Sequence, residues 1–423
     1  MHPNTLLDAC ASLLRELLRF DHPADAVVAR FFREHRSHGP RERATLTQTV
    51  FDVLRRKRLY EHWAKAGGVG PRERRLAILG FAGPPSLLDV ALNDEERRWL
   101  QACRAQSVET LDAPLRHNLP DWLAAELLPV LGEDFWPLVH ALEQPAPLDL
   151  RVNSLKSRRD EVRVALAALG IASSPTTYAP FGLRVEGKPS LAKAKPFLDG
   201  ACEAQDEGSQ LLAMLVEPRR GEVVVDFCAG AGGKTLAMGA AMRDTGRLYA
   251  FDTSAHRLEA LRPRLVRSGL GNVVPTAIVH ERDERVRRLS GKVDRVLVDA
   301  PCSGLGTLRR SPDLKWRQTP ADIAALAKTQ ASILQAAARL LKPGGRLVYA
   351  TCSLLLQENE AIARDFSAHH ADFRQVPVAE RLVALKVPDA DALCSGADGA
   401  YLRLWPHRHG TDAFYAAVWQ KMA

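Results

Sequence analysis

The chain has 423 residues, 46% of them hydrophobic and 26% charged, with 58 Lys plus Arg against 50 Asp plus Glu and a formal net charge of +8. That composition fits two or three globular domains and excludes a disordered, collagen-like or small disulfide-stapled chain. Seven cysteines without a CxxC pair speak against a zinc ribbon, so no metal is expected.

The first twenty residues carry Asp8, Arg15, Glu16 and Arg19 through an apolar pattern and lack the uninterrupted run of a signal peptide. No other stretch approaches the roughly 18 apolar residues of a membrane span. A soluble, cytoplasmic, monomeric protein without membrane contact is the expectation. Leu6, Cys10, Leu13, Leu14, Leu17 and Leu18 fall at helical spacing, as do Leu46, Val50, Val53 and Leu54 ahead of the run Arg55-Arg56-Lys57-Arg58. The basic run has two readings, a helix end complementing the macrodipole and an RNA contact. Residues 1–110 are expected to form a helical domain. Residues 111–200 read as a small α+β module, with a strand at 148–152 and a helix through Val162, Leu166 and Leu169 that stops at Gly170.

Residues 201–423 change character. The near-continuous apolar runs 223–226, 248–252, 296–299 and 347–350 suit strands buried on both faces of a parallel sheet, and three of them end in an acid, Asp226, Asp252 and Asp299. Helical stretches lie between them. One opens at Pro320 and closes at Lys342-Pro343-Gly344-Gly345, and in another, 254–268, Pro263 predicts a kink. Alternating βα units predict a doubly wound α/β sheet with its ligand crevice at the carboxyl ends of the strands.

The loop Cys228, Ala229, Gly230, Ala231, Gly232, Gly233, Lys234 follows the first of these strands and opens a helix. Three ligands compete for it. A Walker A loop requires glycine where Cys228 stands, and a dinucleotide fingerprint requires glycine where Thr235 stands. S-adenosylmethionine carries no phosphate and calls for close backbone approach plus an acid for its ribose. Asp252 ends the next strand in the position where a carboxylate accepts ribose hydroxyls. A tight turn without a ligand remains the bland reading of this stretch.

Two further segments, Asp299-Ala300-Pro301-Cys302-Ser303-Gly304 and Thr351-Cys352-Ser353, each follow an apolar strand. A lone cysteine is most often a small buried hydrophobe, which suffices for Cys10, Cys103, Cys202 and Cys394. Two cysteines at strand ends, one three residues after an Asp, suit thiol chemistry. Cytosine C5 is a poor nucleophile until a thiolate adds to C6 and turns the ring into an enamine, after which a base must remove the C5 proton.

On these boxes, together with 150–156, 203–210, 309–316 and 406–414, the chain resembles the RsmB/NOP/SUN-type RNA (cytosine-C5) methyltransferase family over residues 115–423. The resemblance implies a Rossmann-like catalytic domain using S-adenosylmethionine, with Cys352 as nucleophile, Cys302 assisting product release and Asp299 between cofactor and cytosine. It also implies cofactor contacts from residues 228–234, from Asp252, and from an acid near the adenine after the third strand. Asp283 is the first choice there, with Glu281 and Glu284 as the other acids of the segment. Residues 1–100 resemble the NusB-like helical domain of bacterial members that modify small-subunit ribosomal RNA, through Arg41-Glu42-Arg43-Ala44 and Val50-Phe51-Asp52-Val53-Leu54-Arg55. The implied partner is RNA, first 16S ribosomal RNA and second tRNA. A non-catalytic RNA-binding or assembly factor of the same fold would need none of Cys302, Cys352 and Asp299.

Overall fold

A computed structural model of the chain describes residues 2–187 and 189–423. The chain divides into two units, residues 1–145 with 307–319, and residues 146–306 with 320–423.

The first unit is helical. Leu7, Leu13, Leu14, Leu46, Val50, Val53, Leu54 and Leu76, the apolar faces of the helices Pro3–Leu17, Pro40–Arg55 and Arg72–Leu79, form its core. Its helix starts are chemically specified. In Asp94–Arg104, Asn93 accepts from the Glu96 N–H at 2.8 Å while Glu96 accepts from the Asn93 N–H at 3.1 Å, a reciprocal box that satisfies two donors left open at the helix end. Helices continue to the segment Phe135–Leu142, beyond the first hundred residues.

The side chains of the basic run are paired within the protein and do not form a freely solvated helix end. Arg55 is buried and donates to the Arg309 carbonyl at 3.1 Å, Arg56 pairs with Asp52, Lys57 with Glu61 at 3.0 Å, and Arg58 with Asp121 at 2.7 Å. Residues 307–319 pack on the same place: Trp316 Nε1 donates to the Leu54 carbonyl at 2.7 Å and Lys315 Nζ to that of Arg55 at 2.8 Å. Asp313 accepts the Ala24 N–H at 3.1 Å, at the first residue of the helix Ala24–Glu34. Arg55 thus holds residues 307–319, while the other three cations of the run form ion pairs among the helices.

The second unit contains two sheets. The smaller is antiparallel, in the order β2-β3-β1-β4, from β1 (Leu148–Val152), β2 (Ser173–Pro175), β3 (Gly182–Val185) and β4 (Cys202–Ala204). The helix Arg159–Ala167 closes its core with Val162 and Leu166, and Gly170 takes φ +74° in the turn that follows.

The larger sheet runs β5 (Val223–Asp226), β6 (Arg247–Asp252), β7 (Val273–Ala277), β8 (Val293–Asp299), β9 (Leu341–Thr351), β10 (Phe373–Val376), β11 (Cys394–Ser395), β12 (Tyr401–Leu404) and β13 (Phe414–Lys421). Its order is β11-β12-β13-β9-β8-β5-β6-β7, with β10 paired to β13. Pairing is parallel from β9 to β7, and β13 runs antiparallel to β9. Adjacent residues of one strand enter opposite cores: Val224, Leu297 and Val348 face one, Val225, Val296 and Tyr349 the other. This is the two-sided burial that the apolar runs imply. β5 lies between β6 and β8, so the chain reverses direction of growth there and opens a crevice at the strand ends.

Two local expectations meet a refinement. The helix Pro320–Ala338 ends before Lys342-Pro343-Gly344-Gly345, which instead bulge within β9 opposite Asp294, where the register steps from Val293↔Leu341 to Arg295↔Arg346. Pro263 lies inside a continuous helix, Ala255–Ser268. No described helix is long and apolar enough to cross a membrane.

Candidate active site

A cavity of about 770 Å³ opens at the carboxyl ends of β5, β6, β8 and β9, lined by the glycine loop, Asp252, Glu281, Asp299, Cys302 and Cys352. The loop owes its shape to glycine. Gly230 and Gly232 adopt φ +56° and +83°, and a Cβ on Gly232 would meet Leu261 Cδ1 at 2.2 Å. Several loop amides bond within the protein: Ala229 N–H to the Phe251 carbonyl, Gly230 N–H to Asp252 Oδ2 and Gly232 N–H to the Ala229 carbonyl, all at 2.8 Å. The loop's contribution is thus open space beside bare backbone as much as donors.

Below the loop Asp226 is buried and accepts from Thr235 Oγ1 at 2.7 Å, which pins the start of the helix Gly233–Ala241. Burial pushes the Asp226 carboxyl up to about 7. Burial, with Asp226, Asp299 and Asp252 nearby, also drives the Cys228 thiol well up, so that cysteine is an inert wall. Asp252 anchors the opposite side, its Oδ1 accepting from Ser254 N–H at 2.7 Å. An ionised carboxylate has about four lone-pair sites, so capacity remains for two ribose hydroxyls.

Of the three acids after β7, the structure brings Glu281 to the cavity, where it accepts from Ser332 Oγ at 2.6 Å. Asp283 is not brought there. It caps the helix Glu284–Arg287, accepting from the Val279 and Arg285 N–H groups at 3.0 and 2.9 Å. An Asp placed to close an Asx turn on its own backbone is committed locally, a distinction the composition of the segment could not make. Cavity size, a carboxylate at the ribose end of β6 and an acid after β7 together suit S-adenosylmethionine.

At the reacting end Lys234 Nζ donates to Asp299 Oδ2 at 2.7 Å. Burial works against the Lys234 charge, but the Asp299 carboxylate outweighs it and holds the ammonium above the ordinary lysine value. The thiols of Cys302 and Cys352 stand 3.4 Å apart. The Cys352 contact together with burial raises the Cys302 thiol well above its ordinary value. Backbone bonds hold the two cysteine loops side by side: Ala300 N–H to the Ala350 carbonyl at 2.9 Å, and Gly306 N–H to the Cys352 carbonyl at 2.8 Å. A Cβ on Gly306 would lie 2.3 Å from the Ala413 carbonyl, so the approach requires glycine.

Sequence reading passed over Glu358 and Gln330, which form one buried hydrogen-bonded group behind the cysteines with Ser303 and Ser353 of the two boxes. The run Gln357-Glu358-Asn359, three polar residues soon after a cysteine box, was the available signal.

Comparison with known proteins follows the same lines. The family model for 16S rRNA methyltransferase RsmB/F matches residues 213–420, and that for the ferredoxin-like domain of RsmF/B-like methyltransferases matches residues 119–192. The chain is 33% identical to the probable ribosomal RNA small subunit methyltransferase B of Synechocystis sp., over 97% of this chain and 98% of that protein. It is 31% identical to the probable ribosomal RNA small subunit methyltransferase B of Bacillus subtilis, over 81% of this chain and 75% of that one. A crystal structure of a methyltransferase homolog protein from Pyrococcus horikoshii aligns with a TM-score of 0.63 at 29% identity, covering 75% of this chain and 100% of that one.

Proposed function

The chain belongs to the 16S rRNA methyltransferase RsmB/F family, S-adenosylmethionine-dependent enzymes of ribosomal RNA, and on that premise we propose that it methylates C5 of a cytosine in small-subunit ribosomal RNA through a covalent Cys352 adduct. The observation that carries this reading is the pair of thiols 3.4 Å apart at the ends of β8 and β9, in one cavity with the Lys234–Asp299 pair. When bound, S-adenosylmethionine supplies the methyl group from its sulfonium, with Asp252 on the ribose and Glu281 toward the adenine.

Cys352 Sγ bonds to C6 as a thiolate. The ring electrons move toward C5, and N3 takes a proton from the side of the Lys234–Asp299 pair. C5 would then take the methyl carbon as the carbon's bond to the cofactor sulfur breaks and leaves its electron pair on that sulfur, and N3 returns its proton to the pair. Removal of the C5 proton restores the C5–C6 double bond as the Sγ–C6 bond breaks and its electron pair returns to Cys352. Cys302 assists this release. In this reading Cys352, in the Thr351-Cys352-Ser353 box by which the chain resembles RNA (cytosine-C5) methyltransferases, is the attacking sulfur. Residues 1–110 and the module of 111–200 serve RNA docking in this reading.

Incubating Cys302→Ala with substrate RNA and S-adenosylmethionine should trap a covalent protein–RNA band on a denaturing gel. Cys352→Ala should give neither the band nor 5-methylcytosine on bisulfite sequencing, while still binding the cofactor. A band that persists in Cys352→Ala would remove the nucleophile assignment.

A further inference from the structure

Glu358 is fully buried, yet it does not line the cavity that Cys302 and Cys352 share. Its Oε1 accepts from Ser303 N–H at 2.8 Å and from Gln330 Nε2 at 2.9 Å, and its Oε2 accepts from the hydroxyls of Ser303 and Ser353, each at 2.5 Å. Four donors match the acceptor capacity of a carboxylate. Ser303 directly follows Cys302 and Ser353 directly follows Cys352, so one side chain gathers both cysteine loops. The two hydroxyls stand 3.2 Å apart across it. Gln330 adds a second tie to the first loop by donating to the Pro301 carbonyl at 3.0 Å.

The clamp is itself held. Tyr349 Oη donates to the Glu358 carbonyl at 2.5 Å, Asn359 Nδ2 donates to the Ser353 carbonyl at 3.0 Å, and Thr351 Oγ1 donates to Asn359 Oδ1. Burying a carboxylate is costly even when every lone pair is used, and an apolar side chain would fill the same space with less penalty. An apolar side chain could not fix the two loops in mutual register, because dispersion contacts are not directional.

We propose that Glu358 is a positioning residue whose carboxylate clamps residues 301–304 to residues 351–353 and so sets the separation of the two thiols. This rests on the reading of Cys302 and Cys352 as the reacting pair. Glu358 acts through Ser303 and Ser353 from behind the cavity, outside its lining. A carboxamide nitrogen cannot accept, so Glu358→Gln either sets an N–H against Ser303 N–H and Gln330 Nε2 or reverses the bonds to the two hydroxyls, whose own hydrogens then lose their acceptor, and in both arrangements the four-donor register of the loops is lost. Displacement of a reacting group by about 1 Å is sufficient for about a 100-fold loss in rate.

The test compares Glu358→Gln and Glu358→Asp with the wild type, each shown to be folded by circular dichroism. Glu358→Gln should lower kcat about 100-fold with the KM for RNA and the Kd for S-adenosylmethionine unchanged, and Glu358→Asp, which keeps the carboxylate, should recover much of the loss. The second readout is cross-linking by diamide, which takes two electrons and two protons from the paired thiols and leaves a disulfide. Glu358→Gln should slow Cys302–Cys352 disulfide formation about tenfold. Wild-type kcat and cross-linking rate in folded Glu358→Gln would overturn the proposal, as would a rise in Kd or KM alone with kcat unchanged. If Glu358→Gln does not fold, Ser303→Ala removes one arm of the clamp, and wild-type cross-linking in that variant overturns the proposal equally. Cross-linking does not depend on which base is methylated, so failure of the cytosine reading leaves this measurement standing.

Discussion

Two buried lysines, one in each unit, carry opposite electrostatic fates. Lys234 opens the helix after the glycine loop and meets the Asp299 carboxylate at 2.7 Å, which holds it charged above the ordinary lysine value. Lys315 in the helical unit is 5% exposed and donates to the neutral carbonyl of Arg55, with the ring of Trp316 5.0 Å away. Burial pushes it down to about 7, Glu143 opposing and Arg55, Arg56 and Lys57 adding to the fall. The same side chain serves as a fixed cation where a carboxylate bonds it directly and as a titrating donor where its bonded partner is a neutral carbonyl and neighbouring cations outnumber the one acid. One lysine lies in the cavity proposed as the active site, and the other holds residues 307–319 against the helices of the first unit.

The comparison breaks most sharply at Asp299. Asp299→Asn should lower methyl transfer about 1,000-fold, because the group facing the developing ring charge is lost and Lys234 becomes a buried cation without a counter-ion. Single-turnover transfer at saturating cofactor would measure it, and an unchanged rate would separate the pair from catalysis. Lys234→Met removes the other partner and should cost about 2 kcal/mol of stability in urea, less than the full penalty for a broken buried pair because Asp299 is partly exposed. Lys315→Met should leave transfer nearly unchanged and act on the pH profile of stability instead. With its folded pKa near 7 and an unfolded value near 10.4, Lys315 binds fewer protons folded than unfolded between those limits. Wild-type stability should therefore gain up to about 3 kcal/mol from this group as pH rises from 7 to 10. The Met variant should lack that gain, and equal urea midpoint shifts in both proteins between pH 7 and 9 would refute the assignment.

The catalytic sheet was legible because two-sided burial leaves a mark that periodicity can detect. The runs at 223–226 and 296–299 can satisfy their backbone only in a sheet and their side chains only between two apolar layers. The cysteines were legible for a related reason, standing where strands end and a ligand crevice opens. Asp283 and Glu281 were not separable, since both are acids of one short loop. Only the turn that Asp283 closes on its own backbone decided which carboxylate reached the cavity. The run Arg55-Arg56-Lys57-Arg58 was equally ambiguous, and its partners Asp52, Glu61, Asp121 and the Arg309 carbonyl lie as far as 254 residues away in the chain.

Local pattern by itself determined the doubly wound sheet, the glycine loop, the two cysteine boxes and the acids at the strand ends, because each is written within a few consecutive residues. Tertiary structure alone decided the 3.4 Å approach of Cys302 to Cys352, the carboxylate behind them, and which of two lysines meets an anion. Those are distances between residues far apart in the chain, and hydrogen bonds and charge pairs depend on distances that composition and spacing do not contain.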